Sequence, residues 1–514
     1  MKNICAKLIP IAICMLAVGC SNRDSDKKGL YYEGQELMEV GLPAPPPGIS
    51  ADGDQFEEFE DNPFITVAEE PVSTFSVDAD GASYGVMRRY INDGFSIDPA
   101  SVRIEEFLNY FTFDYAQPQD DNTVAINTEL GVCPWNQEHL LLRLGIKGKE
   151  IEASKMPRAN FVFLVDVSGS MDSSDRLDLL KSGLKELLSK MNPDDRISLI
   201  TYSGEVKKIL ESTHVREVSK IKKAIDQLQA GGFTAGGKAL QMAYEEALVN
   251  YEPACNNRII MGTDGDFNVG VTNTSELESM VTEYAQKGIY LTCLGFGQGN
   301  LNDEMMERIS NKGNGTYHYI DCENEMMKVF VYERERFVSV ANDTKCQITF
   351  DSTYVNSYRL IGYENRVMNN EDFEDDKKDA GEIGAGQTIT ALYEIVPTEK
   401  MTELSKEKTG DKHTLATFDL RYKKALGKES IPVKEEIAVE DLYQQNGEIR
   451  PLSANLSLAA GLSAYGMILR NSPHKGNATY DMAEELVKNS LDFDPHGYRA
   501  ELLQLMKKAK ESMK

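Results

Sequence analysis

The sequence predicts an α/β protein: a doubly wound parallel sheet inserted in a β-sandwich-like flanking region, with a helical C-terminal segment. Three observations predict it. Between residues 161 and 336, strand-like apolar runs alternate with stretches whose apolar residues recur at helical spacing, the pattern of a parallel sheet with crossover helices. On both sides of that region, strand signals follow one another without helices between them. From Leu452 onward the signals are helical only. The 514 residues suffice for about three domains at roughly 100–200 residues each. The 41% hydrophobic and 27% charged content reads as globular. The net charge of −27 repels a phosphate backbone, and no local basic patch offsets it, so nucleic-acid binding is excluded.

In chain order, Lys2 and Lys7 precede an apolar stretch from Leu8 to Val18, too short for a permanent membrane span and laid out as a secretory signal. It ends in Leu16-Ala-Val-Gly-Cys20, which resembles a bacterial lipobox, with Ala17 where Leu is commoner. That resemblance implies a signal peptide over residues 1–19, lipidation of Cys20 and attachment to the cell envelope. Ser21, rather than Asp, follows the Cys and points to the outer membrane, on its periplasmic or surface face. Residues 20–62, with Pro43, Pro45, Pro46 and Pro47 and then a run of acids, predict an extended tether. A group-specific region is expected over 63–155, the α/β domain over 156–340 and a β-rich then helical region over 341–514. The cysteines beyond Cys20 are Cys133, Cys255, Cys293, Cys322 and Cys346. Their odd number in a long chain argues against a disulfide framework, with one pair possible.

Strands are predicted at 161–166, 196–202, 258–263, 289–296 and 317–320, and helices at 177–191, 218–228, 236–250, 277–287, 303–309 and 323–336. Flanking strands are predicted at 125–132, 140–146, 347–350, 358–363, 388–395 and 414–422, and C-terminal helices at 456–469, 480–486 and 498–509. Ligands of such parallel sheets bind beyond the carboxyl ends of the strands. One strand ends in Asp166-Val-Ser168-Gly-Ser170 and another in Thr263-Asp264-Gly265, and Gly231-Gly232-Phe233-Thr234 opens a helix between them. Asp166, Ser168, Ser170, Thr234 and Asp264 offer only oxygen, which suits Mg²⁺, or Mn²⁺ or Ca²⁺, rather than zinc.

This set of motifs resembles the metal-ion-dependent adhesion site of von Willebrand factor type A domains, and all five positions match. The resemblance implies that the hydroxyls of Ser168, Ser170 and Thr234 coordinate the metal, with Asp166 and Asp264 acting directly or through water. An open coordination position would take an Asp or Glu of a partner protein. Phe75–Tyr84, Arg88-Arg89-Tyr90, Val102–Phe111, Tyr358–Asn365 and Asp494–Arg499 resemble the flanking regions of the YfbK-like bacterial proteins. Those motifs place the chain in a group without naming a chemistry.

Two motifs are set aside. Gly232–Ala239 nearly fits a phosphate loop, but Ala239 lacks the metal-binding hydroxyl and a helix precedes it, so no nucleotide is expected. Asp78-Ala-Asp80-Gly81 starts like a calcium loop, yet Arg89 stands where the twelfth-position Glu belongs, so it reads as a turn. Asp266 reads as a solvated loop carboxylate and residues 371–379 as a solvated hairpin loop. The expected function is an envelope-anchored binding module, not an enzyme. The alternative is an envelope hydrolase that recruits substrate through the same domain.

Overall fold

The computed structural model describes residues 53–232, 237–265, 274–404, 412–424, 427, 429–444 and 446–512. The signal segment, Cys20, most of the tether, Thr234 and Asp266 lie outside them.

The central sheet runs in the order Tyr317–Ile320, Ile289–Phe296, Asn256–Thr263, Ala159–Asp166, Arg196–Tyr202 and Val206–His214. The first five strands are parallel and the last is antiparallel. The strand Ala159–Asp166 is buried from Asn160 onward because it packs helices on both faces, which explains its nearly unbroken apolar run. After it, the chain goes first to one neighbour, Arg196–Tyr202, and later returns to the other, Asn256–Thr263. The gap between Ala159–Asp166 and Asn256–Thr263 is therefore the switch point of the sheet, where such folds place their ligands.

The flanking regions form one sandwich. In one sheet, Val124–Val132 and Leu140–Gly148 from before the central domain pair with Thr388–Pro397 from after it. In the other, Val72–Ser76 pairs with Ser339–Phe350. The two sheets share one apolar core, including Phe75, Leu142, Ile348 and Tyr393. The helices Ala82–Asp93 and Ile104–Tyr110, which the sequence reading did not assign, pack with Ala454–Leu469 and Tyr498–Ser512 into a second core around Trp135.

Three local expectations are corrected. Residues 53–62, read as the end of the tether, are docked. The Asp54 carboxylate accepts the backbone N–H groups of Gly299 at 2.7 Å and Leu301 at 3.0 Å, and Asp61 pairs with Arg470 at 2.8 Å. The segment 323–336, read as one helix, splits into Glu323–Met327, a wider helical turn over Lys328–Tyr332, and Arg334–Phe337. The buried Lys328 ammonium lies 2.6 Å from Glu333 and over the Tyr110 ring, contacts that fix the chain on either side of this turn. The acidic stretch 371–379 is a largely exposed loop, as expected, and Asp376 pairs there with Arg421 at 3.1 Å. Cys133, Cys255, Cys293, Cys322 and Cys346 are all free thiols, so the possible pair does not form.

Candidate functional site

Asp166 ends its strand with a fully buried carboxylate. Its Oδ1 accepts the Ser168 N–H at 2.8 Å, which folds the chain into the short turn Gly169–Met171. Its Oδ2 accepts the Thr263 hydroxyl at 3.1 Å, tying it to the next strand. The Ser168 and Ser170 hydroxyls converge to 2.9 Å, with Ser168 buried and Ser170 exposed. Val165 pairs with Gly262, so Asp166 and Asp264 leave their strands one and two residues beyond a shared register level. Gly231 donates to the Val167 carbonyl at 2.8 Å and Gly169 to the Gly232 carbonyl at 3.2 Å, so the chain leading to Thr234 is docked on the first loop. Four of the five expected site residues thus meet at one sheet edge, and the fifth lies outside the described residues.

Gly265 has φ +98°, and a Cβ there would stand 2.5 Å from the Asn302 amide nitrogen. Only glycine fits, because residues 300–302 back directly onto the Thr-Asp-Gly turn. That backing loop is itself held by Asp54 and by the Tyr319 hydroxyl, which donates to the Gly297 carbonyl at 2.5 Å. The N-terminal segment therefore contributes to the support of the site.

Arg176 was not singled out from sequence. Its Nη1 donates to Asp264 Oδ2 and to the Ser170 carbonyl, each at 2.7 Å, and its Nη2 to the Gln298 carbonyl at 3.1 Å. One signal could have found it: it is a cation immediately before the helix Leu177–Lys190, where the helix dipole disfavours positive charge.

The donor set passes a test for a hard divalent cation. Among the described residues, Asp264 Oδ1 is buried without a hydrogen-bond partner, next to a turn whose other ligand atoms are carboxylate and hydroxyl oxygens. A buried acceptor left unmatched is costly unless a cation or water meets it. A second acidic cluster, Asp78, Asp80 and Glu307, lies elsewhere. There the Arg366 guanidinium already sits among the carboxylates, 3.2 Å from Asp78, 3.5 Å from Asp80 and 3.2 Å from Glu307. Asp78 Oδ1 accepts the Asp80 N–H at 2.8 Å, so the predicted turn is present, as part of a buried ion-pair junction.

Burial pushes the Asp166 carboxyl from its ordinary 3.8 up to about 6, against the hydrogen bonds from Ser168 and Thr263. Cation binding needs the carboxylate. Mg²⁺ affinity, measured calorimetrically, is expected to be flat above pH 7 and to fall by roughly tenfold per unit below about pH 6. A flat affinity down to pH 4.5 would exclude Asp166 as a partner of the ion.

The parallel sheet, its switch-point loops and their oxygen donors define a von Willebrand factor type A domain, and the model of that domain matches residues 160–331. A model described as von Willebrand factor matches residues 50–143, and one described as the C-terminal region of uncharacterized protein YfbK matches residues 335–512. The chain is 37% identical over 473 residues to uncharacterized protein YfbK of Escherichia coli K12, covering 88% of this chain and 81% of that one. It belongs to the YfbK-like family of von Willebrand factor type A proteins. It is also 28% identical over 207 residues to human inter-alpha-trypsin inhibitor heavy chain H4, covering 38% of this chain and 21% of that one. Among solved structures, the von Willebrand factor type A protein of Catenulispora acidiphila aligns with a TM-score of 0.42 at 14% identity, covering 74% of this chain and 89% of that one. Domains of this class are protein-interaction modules and often hold a divalent metal.

Proposed function

We propose that the protein is a lipid-anchored envelope module that captures a protein partner through a divalent cation held by Asp166, Ser168, Ser170, Thr234 and Asp264. The observation that carries this reading is the convergence, at the switch point, of two buried carboxylates with a buried and an exposed serine hydroxyl. A cation held there supplies a coordination position for one carboxylate oxygen of the partner. Asp166 anchors the turn through the Ser168 amide, and the exposed Ser170 sets the open side of the site. With a chain charge of −27, long-range attraction for an acidic partner is absent, so the attraction has to be local. In this reading Cys20 carries the lipid anchor and the chain is a binding protein rather than an enzyme.

The test is capture of envelope proteins from detergent extracts by the full chain, in Mg²⁺ and in chelator, for the unsubstituted chain and Thr234→Ala. Capture is expected in Mg²⁺ only, and at least tenfold less with Thr234→Ala, because one hydroxyl ligand is deleted. Equal capture in Mg²⁺ and in chelator would refute the reading.

A further inference from the structure

Arg176 has no part in the set of metal-binding oxygens, yet its guanidinium touches that set directly. It is 2.7 Å from Asp264 Oδ2 and only 15% exposed. Three acceptors from three segments, Ser170, Asp264 and Gln298, hold the planar fork in place. The neighbouring acid, Asp175, does not compete for it, being engaged by Arg89 at 3.1 Å and by the Ser173 hydroxyl at 2.5 Å. The helix Leu177–Lys190 begins at the next residue, so its positive N-terminal end adds to the same field.

We propose that Arg176 is the specificity-determining residue of the site: by neutralising Asp264, it keeps the cation-loaded site net positive and so selects carboxylate ligands. The inference rests on the metal reading above. Among the described residues, the carboxylates of Asp166 and Asp264 cancel a divalent cation and the serine hydroxyls add no charge, so the loaded site without Arg176 would be neutral. With Arg176 it carries one positive charge. Because the arginine takes only Oδ2, Asp264 Oδ1 stays without a partner among the described residues. The same positive charge opposes binding of the cation itself, so Arg176 exchanges some metal affinity for ligand affinity. A residue that only braced the loop would raise both.

The test titrates Mn²⁺ into the full chain, following free ion by paramagnetic resonance. Acetate is then titrated into the Mn²⁺-loaded chain, following loss of bound water by proton relaxation. Arg176→Gln is expected to bind Mn²⁺ about tenfold more tightly and acetate about tenfold more weakly. Arg176→Lys keeps the charge and stays within about threefold of the unsubstituted chain in both. Asp264→Asn leaves Arg176 in place and gives the converse, weaker Mn²⁺ and tighter acetate, which keeps the proposal open to refutation if Arg176→Gln does not fold. Weaker Mn²⁺ binding by a folded Arg176→Gln, or unchanged acetate binding by either charge-altering variant, would overturn the proposal while leaving the metal reading intact. Absence of Mn²⁺ binding by the unsubstituted chain would overturn the metal reading and this inference with it.

Discussion

Replacing Arg88 by alanine is expected to cost about 3–5 kcal/mol of folding stability, the range for removing one partner from a buried ion-pair network. Arg88 sits on the helix Ala82–Asp93 and is 1% exposed. Its guanidinium binds Asp321 at 2.5 and 2.8 Å, just beyond the edge strand of the central sheet, and Glu325 at 2.8 Å. It also reaches the Tyr110 hydroxyl at 2.9 Å and Glu501, on the C-terminal helix, at 3.3 Å. One side chain thus joins the N-terminal region, the central domain and the C-terminal helix. Burial alone would raise the Glu325 carboxyl, but Arg88 and Lys328 win and hold it below its ordinary value. Removing Arg88 leaves Asp321 and Glu325 buried with less positive charge between them. The loss is therefore expected to shrink in acid, where the Glu325 carboxylate left without Arg88 can be protonated. Chemical denaturation at pH 7.5 and pH 5 measures both effects. A cost under 1 kcal/mol at pH 7.5 would mean that the three segments are joined by apolar packing alone.

Asp166→Asn is expected to move metal binding and stability in opposite directions. The folded-state pKa of about 6 lies above the ordinary 3.8, so the fold favours the protonated form. That contribution is fully present below about pH 3.8 and is lost as the pH rises through about 6. At pH 8 the metal-free protein therefore carries a penalty of up to about 3 kcal/mol for the buried carboxylate. Asparagine keeps the acceptor for the Ser168 amide and a polar partner for Thr263 while removing the charge. The variant should be more stable than the unsubstituted chain at pH 8 without metal, equal to it near pH 4, and weaker for Mg²⁺ by at least about 100-fold. A site that trades stability for binding behaves this way. If stability and affinity fell together at pH 8, Asp166 would be a structural strut.

The sequence was most informative where a physical rule is local. The apolar runs at 161–166 and 289–296 read as buried strands and are strands, and Asp166, Ser168, Ser170 and Asp264 lie at the ends of the strands Ala159–Asp166 and Asn256–Thr263. The strand Val206–His214 was not legible, because as the antiparallel edge it is partly solvated and carries Lys207, Lys208 and Glu211 among its apolar residues. Long-range charge pairing was invisible. Nothing in the spacing of Arg88 and Glu501, of Arg176 and Asp264, or of Asp54 and Gly299 announces that they meet. The widening of the helix after Met327 was missed for the same reason, since it accompanies the burial of Lys328 against Tyr110 and Glu333.

The most direct measurement is anomalous diffraction from crystals of the full chain grown with Mn²⁺. A metal-dependent capture site predicts one strong peak bounded by the Ser168 and Ser170 hydroxyls, with Asp166 and Asp264 behind it and Arg176 still paired to Asp264. A peak instead among Asp78, Asp80 and Glu307, with Arg366 displaced, would contradict the account, as would the absence of any peak at the end of the strand Ala159–Asp166 at millimolar Mn²⁺.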